Sequence, residues 1–315
     1  MELLQLWYFR EIAHSGHLSR TAEKLHIAQP SLSQMLKRLE NELGLSLFDR
    51  IGKRLVLNEN GIIFLKYTDR IFSALNNAKL ELAEHTEKKE KQVTLCVSSA
   101  SLLLPEIVKQ IQKADPHIHL RIVKDPEDAE EGLPMLRLYS AAKISRKIKA
   151  KSSKTESGKA ESGDETKQIL MIEPIRLLLP KSHPLAEKET LLAEDLKGEP
   201  FISLGVQSDL AQIIRTFTGE IVWEPEITTY VDSPAMMRQF LKLNLGCAFV
   251  PEYTWYRFAE DTAVLKAVHD LPMERYLIME WDPDSYQTEA FILCKNIITN
   301  YFIKYNRRFR STEEV

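Results

Sequence analysis

Cysteine is scarce: Cys96, Cys247 and Cys294 are the only three in 315 residues, far apart and with no CxxC pair. That argues against a disulfide framework and a structural zinc site, and for a reducing compartment. The 11 glycines and 14 prolines are too few for a collagen-like or mucin-like chain. No uninterrupted apolar run approaches the ~18 residues a membrane span needs. The start, MELLQLWYF, carries an acid at position 2 and lacks the positive head of a signal peptide. The expectation is a cytoplasmic protein with no membrane partner. Enzyme signatures are lacking too: there is no GxSxG, P-loop, GxGxxG or HExxH pattern. No catalytic residue, cofactor or metal is therefore expected. His117-x-His119 puts two imidazoles on one strand face, but no third ligand is evident, and a solvated or capping role is the plainer reading. His14, His17 and His26 read as surface or phosphate-adjacent groups. Redox sensing through Cys247 and Cys294 would require the fold to bring them together, and isolated buried thiols are commoner.

What is present is a core-forming composition. Hydrophobic residues make up 44% of the chain, which excludes global disorder, and the length suits two or three compact units. The net charge of −3 hides an asymmetry: residues 1–67 hold nine Lys/Arg against seven acids, a net of +2, and the remainder sums to −5. A basic first part on an acidic body is the first functional hint.

Apolar residues recur at helical spacing from Leu3 to Ala13, and Ser15-Gly16-His17 ends that helix. Leu18–Leu25 reads as a short second helix with Ser19 as its cap. After a tight turn, Gln29–Leu43 reads as a third, opened by Pro30 and stopped by Gly44. Its apolar face is Leu32, Met35, Leu36, Leu39 and Leu43. Leu47-Phe48 and Leu55-Val56-Leu57 form a hairpin with a basic tip. Leu65, Phe72, Leu75, Ala78 and Leu82, with Ile71 beside them, give a long amphipathic helix. Its stripe needs a partner, most simply a second copy of itself. Beyond Gln92, strands and helices alternate, which predicts α/β units on largely parallel sheets. Residues 143–168, rich in Lys, Ser and Glu, predict a mobile surface insertion.

The 18–37 stretch carries the strongest signal. Ala22 sits where two helices cross closely, while Leu25, Ile27, Leu32 and Met35 close a small core. The third helix then turns Ser31, Ser33, Gln34, Lys37 and Arg38 outward, the groups that bind phosphates and base edges in the major groove. A helical hairpin whose polar face merely meets water fits the same spacing. The basic hairpin tip, with Arg50, Lys53 and Arg54, favours DNA because it can follow the adjacent backbone or minor groove.

The run AHSGHLSRTAEKLHIAQPSLSQMLKRLENELGLSLFDRIGKRLVLNENG closely resembles the DNA-binding module of LysR-type transcriptional regulators. The matching elements are Ala22-Glu23-Lys24-Leu25, Ala28-Gln29-Pro30-Ser31-Leu32-Ser33, Leu39-Glu40, Leu43-Gly44, Leu47-Phe48 and Arg50. Weaker matches follow at Leu103-Leu104-Pro105, Pro116, Leu179-Pro180, His183-Pro184-Leu185 and Gly246 to Pro251. The resemblance implies an α+β multidomain protein: a winged helix-turn-helix, a long linker helix, and a two-lobed α/β effector domain like that of periplasmic binding proteins. The corresponding segments are 1–58, 59–91, 92–170 with 270–305 for the first lobe, and 171–269 for the second. Two departures stand out. The wing ends in Asn58-Glu59-Asn60-Gly61 rather than Thr-x-Ala-Gly, where Asn58 can still cap the linker helix. Leu133–Tyr139 replaces a strand that commonly contains Asp, so the first lobe is atypical.

By position, Gln29, Pro30, Ser31, Ser33 and Gln34 would lie at the groove, Lys37 and Arg38 would reach phosphates or a guanine, and Arg50, Lys53 and Arg54 would serve the wing. In the effector domain, Ser98, Ser99 and Ser101 follow the first strand and Ser203 and Gly205 follow a later one; Phe249 lines the cleft or belongs to the core. In the family such loops hold an inducer, often a small carboxylate, which suits hydroxyls and N–H groups at a helix start. Both loops also read as ordinary helix caps. The resemblance implies double-stranded DNA, a small-molecule inducer, further copies of the chain as a dimer or tetramer, and RNA polymerase as partners. Two rivals remain: a small-molecule-binding protein without a role at genes, and a non-inducible DNA-binding regulator whose effector domain serves protein contacts.

Overall fold

The computed structural model describes residues 1–52, 54–85, 91–130, 132–144, 166–220, 223–256 and 263–310. Lys53 and residues 145–165 of the expected insertion lie outside them. The chain divides into two compact units, Met1–Glu87 with Asp284–Tyr286, and Lys88–Pro283 with Gln287–Val315.

In the first unit, α1 (Leu3–Ser15), α2 (Leu18–Lys24) and α3 (Gln29–Leu43) surround a core of Leu6, Phe9, Ile12, Ala22, Leu32, Leu36 and Leu39. Leu32, Leu36 and Leu39 recur at helical spacing, and burying each contributes about 1.5–3 kcal/mol. Met35 is only half-buried at the edge of that stripe. Gly44 ends α3 in the left-handed conformation (φ 69°), and its N–H returns to Asn41 O. His17, not Ser19, occupies the cap position of α2, so Ser19 is free for another use.

The wing is an antiparallel pair, β1 (Phe48–Ile51) and β2 (Arg54–Leu57), and α4 (Glu59–His85) follows it. Asn58 caps α4, its Oδ1 accepting from Gly61 N–H at 2.9 Å. Gly61 is required there: a Cβ would stand 2.1 Å from the carbonyl oxygen of Leu47. Contrary to the single stripe expected from the sequence, Leu65 and Phe72 pack against the three-helix core. The exposed stripe is Ile63, Tyr67, Ile71, Leu75 and Leu82 instead.

The second unit opens with β3 (Lys91–Val97), α5 (Leu104–Ala114), β4 (Ile118–Val123) and β5 (Met135–Ala141). A long strand, β6 (Lys167–Pro180), then leads to β7 (Pro200–Leu204), α6 (Asp209–Glu220), β8 (Glu226–Val231), α7 (Pro234–Lys242) and β9 (Ala248–Pro251). The chain returns through β10 (Ala263–Lys266), β11 (Met273–Glu280) and α8 (Glu289–Arg310). The main sheet runs β10-β6-β11-β5-β3-β4, with β9 also on β6, while β7 and β8 pair separately. β3 is parallel to β4 and β5, but β11 runs antiparallel to both β5 and β6, so the sheet is mixed rather than largely parallel. Leu133–Tyr139, the stretch that departs from the family pattern, forms most of a regular strand with Leu136 and Leu138 buried.

Two hydrophobic cores share the long strands. One gathers Val93, Leu95, Ile107, Leu138, Met171, Leu277 and Phe291; the other gathers Leu177, Leu179, Phe201, Leu210, Ile213, Met237 and Phe249. β6 and β11 feed both, and at their crossing Glu173 faces Arg275 in register.

Candidate functional site

At about 100° per residue, the core stripe of α3 leaves Pro30, Gln34, Lys37 and Asn41 diametrically opposite, flanked by Ser31 and Arg38. All six are exposed, whereas Ser33 falls toward the flank and is half-buried. Gln34, Lys37 and Arg38 have no side-chain partner among the described residues. Gln29 is held: Ser19 Oγ donates to its Oε1 at 3.1 Å, which leaves the amide NH2 outward. Asn41 shares the face and was not singled out by motif matching, since its only signal is helical phase.

The wing is fixed to this face by backbone and side chain. Leu55 N–H donates to Gly16 O at 2.9 Å, tying β2 to the turn between α1 and α2. Arg54 Nε donates to His17 Nε2 at 3.3 Å, so its fork is oriented with terminal N–H groups still available. Glu40 Oε1 accepts from Leu47 N–H at 2.8 Å, joining α3 to the wing's approach. Arg50 is exposed on β1. Lys53, expected at the tip, lies outside the described residues.

In the second unit, the loop after β3 and the start of α6 meet. Ser98 Oγ and Ser99 Oγ donate to Asp209 Oδ2 at 2.7 and 2.8 Å, and Ser140 N–H donates to the same oxygen at 2.9 Å. Ala100 turns the loop in the left-handed conformation (φ 63°). Behind it, Ser99 and Ser140 hydroxyls are 2.6 Å apart, and Arg275 Nη1 lies 3.4 Å from Ser140 Oγ. Arg275 is 2% exposed and Glu173 0% exposed. Arg275 Nε donates to Glu173 Oε1 at 2.8 Å, while Glu173 Oε2 accepts from the N–H groups of Tyr253 and Thr254 at 3.1 and 2.9 Å. A buried charge pair persists when such hydrogen bonds satisfy its remaining lone pairs.

Of the effector residues picked out in the sequence, Ser98 and Ser99 are brought together, and the others are elsewhere. Ser101 starts a separate 3-10 turn, exposed. Gly205 is committed through its N–H to Val231 O at 3.1 Å, and a side chain there would meet open space. Ser203 and Phe249 line an open pocket of about 220 Å³ at the edge of the second core, between Phe201, Leu210 and Ile214 and the surface residues Val206, Arg215 and Tyr230. Phe249 stacks on Phe201 with ring centroids 5.3 Å apart. Asp209, Ser140, Arg275 and Glu173 escaped the sequence reading. The last two sit among other charges in largely apolar runs, Glu173 near Arg176 in LMIEPIRLLL and Arg275 after Glu274 in MERYLIME, so the pattern does not mark them as a buried pair.

The cysteines do not meet: Cys247 belongs to one core and Cys294 to the other. Burial pushes both thiols up to about 12, so they are inert at neutral pH. Among the described residues no group of three His, Cys, Asp or Glu side chains could hold a metal, and no helix is long and apolar enough to cross a membrane.

Comparison with known proteins agrees with this architecture. Residues 3–62 match the model of the bacterial regulatory helix-turn-helix protein, lysR family, and residues 158–302 match the LysR substrate binding domain. A probable RuBisCO transcriptional regulator of Thalassiosira pseudonana is 28% identical over 311 residues, covering 92% of this chain and 94% of the relative. The HTH-type transcriptional regulator AlsR of Bacillus subtilis is 29% identical over 283 residues, covering 84% and 85%. Among solved structures, a full-length OxyR point variant from Pseudomonas aeruginosa aligns over 95% of this chain and 98% of that one, with a TM-score of 0.54 at 20% identity. At that identity the likeness shows a shared fold. With both family models matched in chain order, and a winged helix-turn-helix followed by a two-core α/β unit, this chain belongs to the LysR family of DNA-binding transcriptional regulators.

Proposed function

We propose that the chain acts as a homo-oligomer that grips an interrupted inverted repeat and changes its hold on DNA when a small anionic inducer enters the cleft between the two cores. The observation that carries the DNA half is the α3 face, where Gln34, Lys37 and Arg38 stand opposite the core stripe without partners, beside a wing locked to the same three helices. In this reading Gln34 and Arg38 read base edges, while Arg50, Lys53 and Arg54 anchor phosphates. A second copy covers the exposed Ile63, Tyr67, Ile71 and Leu75 stripe of α4, which pairs two α3 helices on half-sites about 34 Å or a multiple apart. Whether two or four copies assemble, an inducer works only through its different affinity for the two arrangements, and altered DNA bending then changes RNA polymerase recruitment.

The test is purified protein against sheared genomic DNA, with bound fragments sequenced at low and moderate salt. The expected result is an enriched interrupted dyad that survives moderate salt. Binding that disappears with salt and leaves no motif would reduce α3 to a generic basic surface.

A further inference from the structure

The seat formed by Ser98, Ser99 and Ser140 has a fixed proton order. A guanidinium only donates and an ionised carboxylate only accepts. Ser99 spends its single O–H on Asp209 (2.8 Å), so the 2.6 Å contact behind it must be donated by Ser140, whose oxygen in turn accepts from Arg275. The order Arg275 to Ser140 to Ser99 to Asp209 is therefore forced, and each bond in such a chain polarises the next. Glu173 balances the charge of Arg275, so what the seat offers at its open end is not net charge but aligned donors: two hydroxyls and one backbone N–H. That is a receptor for one carboxylate oxygen.

The carboxylate that fills it comes from the opposite side of the cleft. The three donors belong to the loop after β3 and to β5, in the core of Val93 and Leu138; Asp209 opens α6, whose Leu210 and Ile213 lie in the other core. We propose that Asp209 is a tethered occupant of the effector's own anion seat, a latch that holds the two lobes together in the effector-free state, and that the effector is a small carboxylate that binds by displacing it. This rests on the anionic-inducer reading above and adds the group that the inducer must replace. A tethered group competes at an effective concentration on the order of millimolar or more, so a bare carboxylate gains little in the intact protein. An effector needs further contacts beyond its carboxylate to win the exchange.

The latch is tested with formate, which is the size of the group that Asp209→Ala removes. At constant ionic strength, with chloride as control, formate is titrated into the full chain, the Asp209→Ala variant and the Asp209→Asn variant, following thermal unfolding and heat of binding. The expected result is a saturable formate response of Asp209→Ala at about tenfold or lower concentration than any response of the parent. The response should vanish when Ser99→Ala is added, and Asp209→Asn, whose amide still fills the space, should respond no better than the parent. Formate acting equally on parent and Asp209→Ala, or on neither, overturns the latch. If Asp209→Ala fails to fold, the same formate titration of Asp209→Ser decides: a saturable response below the parent's range that Ser99→Ala abolishes sustains the proposal, and any other result overturns it. The underlying reading fails differently. If formate rescues Asp209→Ala but no carboxylate metabolite alters DNA binding of the parent, the seat is latched and the regulator is not inducible through it.

Discussion

The α3 face and the cleft seat use similar chemistry, serine hydroxyls, amide groups and arginine, and stand in opposite states. On α3 the donors point away from the core and have no partners among the described residues, so they are solvated and ready to exchange water for phosphate or base edges. At the seat the hydroxyls of Ser98 and Ser99 and the N–H of Ser140 are used by Asp209, the Ser140 hydroxyl by Ser99, and Arg275 by Ser140, Glu173 and Thr254. A ligand on the first surface would displace only water, so mutations there should cost recognition. A ligand at the second would have to displace Asp209, so mutations there should first cost stability. Polar residues in loops are thus not equivalent evidence of a ligand site; what matters is whether the fold has already satisfied them.

The sharpest break of that contrast is Glu173→Gln. It leaves Arg275 buried without its counter-charge and should cost about 3–5 kcal/mol in urea unfolding, with DNA contacts untouched. Arg38→Ala, by comparison, should change stability by no more than about 0.5 kcal/mol. Gly61→Ala comes next. Its methyl would press on Leu47 O, and shifting α4 from the wing should cost about 1–3 kcal/mol, read as loss of the first unit's helical unfolding midpoint. On DNA, Arg38→Ala should lose about 1–3 kcal/mol of discrimination at one position. Arg54→Ala should weaken all sequences alike and lower the salt slope by about one. Swapped outcomes would reverse the assignment of reader and anchor.

The smallest effect is at acid pH. Lys91, with the backbone N–H of His117, holds the Asp115 carboxyl below the usual carboxylate range. A depressed value contributes stability above the unfolded-state pKa, near pH 4, and that contribution is lost as pH falls through the folded value. Asp115→Asn should lower stability slightly at neutral pH and flatten this acid limb, so that the two stability curves converge at low pH.

The first unit was largely legible because its information is local. Helical period, Pro30 at the start of α3 and Gly44 at its end depend on neighbours within a few residues, and Gln29–Leu43 emerges with the expected bounds. The side of α4 that meets the core was not legible: the helix has apolar residues around much of its circumference, and the packing of Phe64, Leu65 and Phe72 on α1 chose one side. The antiparallel course of β11 escaped because strand direction leaves no mark in local pattern. The length of β6 escaped because Lys167 and Gln168 look like the end of a polar stretch, although they pair with Glu280 and Met279.

By itself the sequence determined the helix-turn-helix, the wing and the alternation of strands and helices, because periodicity, turn residues and motif spacing are properties of adjacent residues. It also placed Ser98 and Ser99 at the end of a strand. Only the tertiary structure decided what those serines do. Asp209 is 110 residues from Ser99, and Arg275 is 135 from Ser140; no short-range pattern records such pairs, because which polar groups meet is settled by how the two cores share β6 and β11.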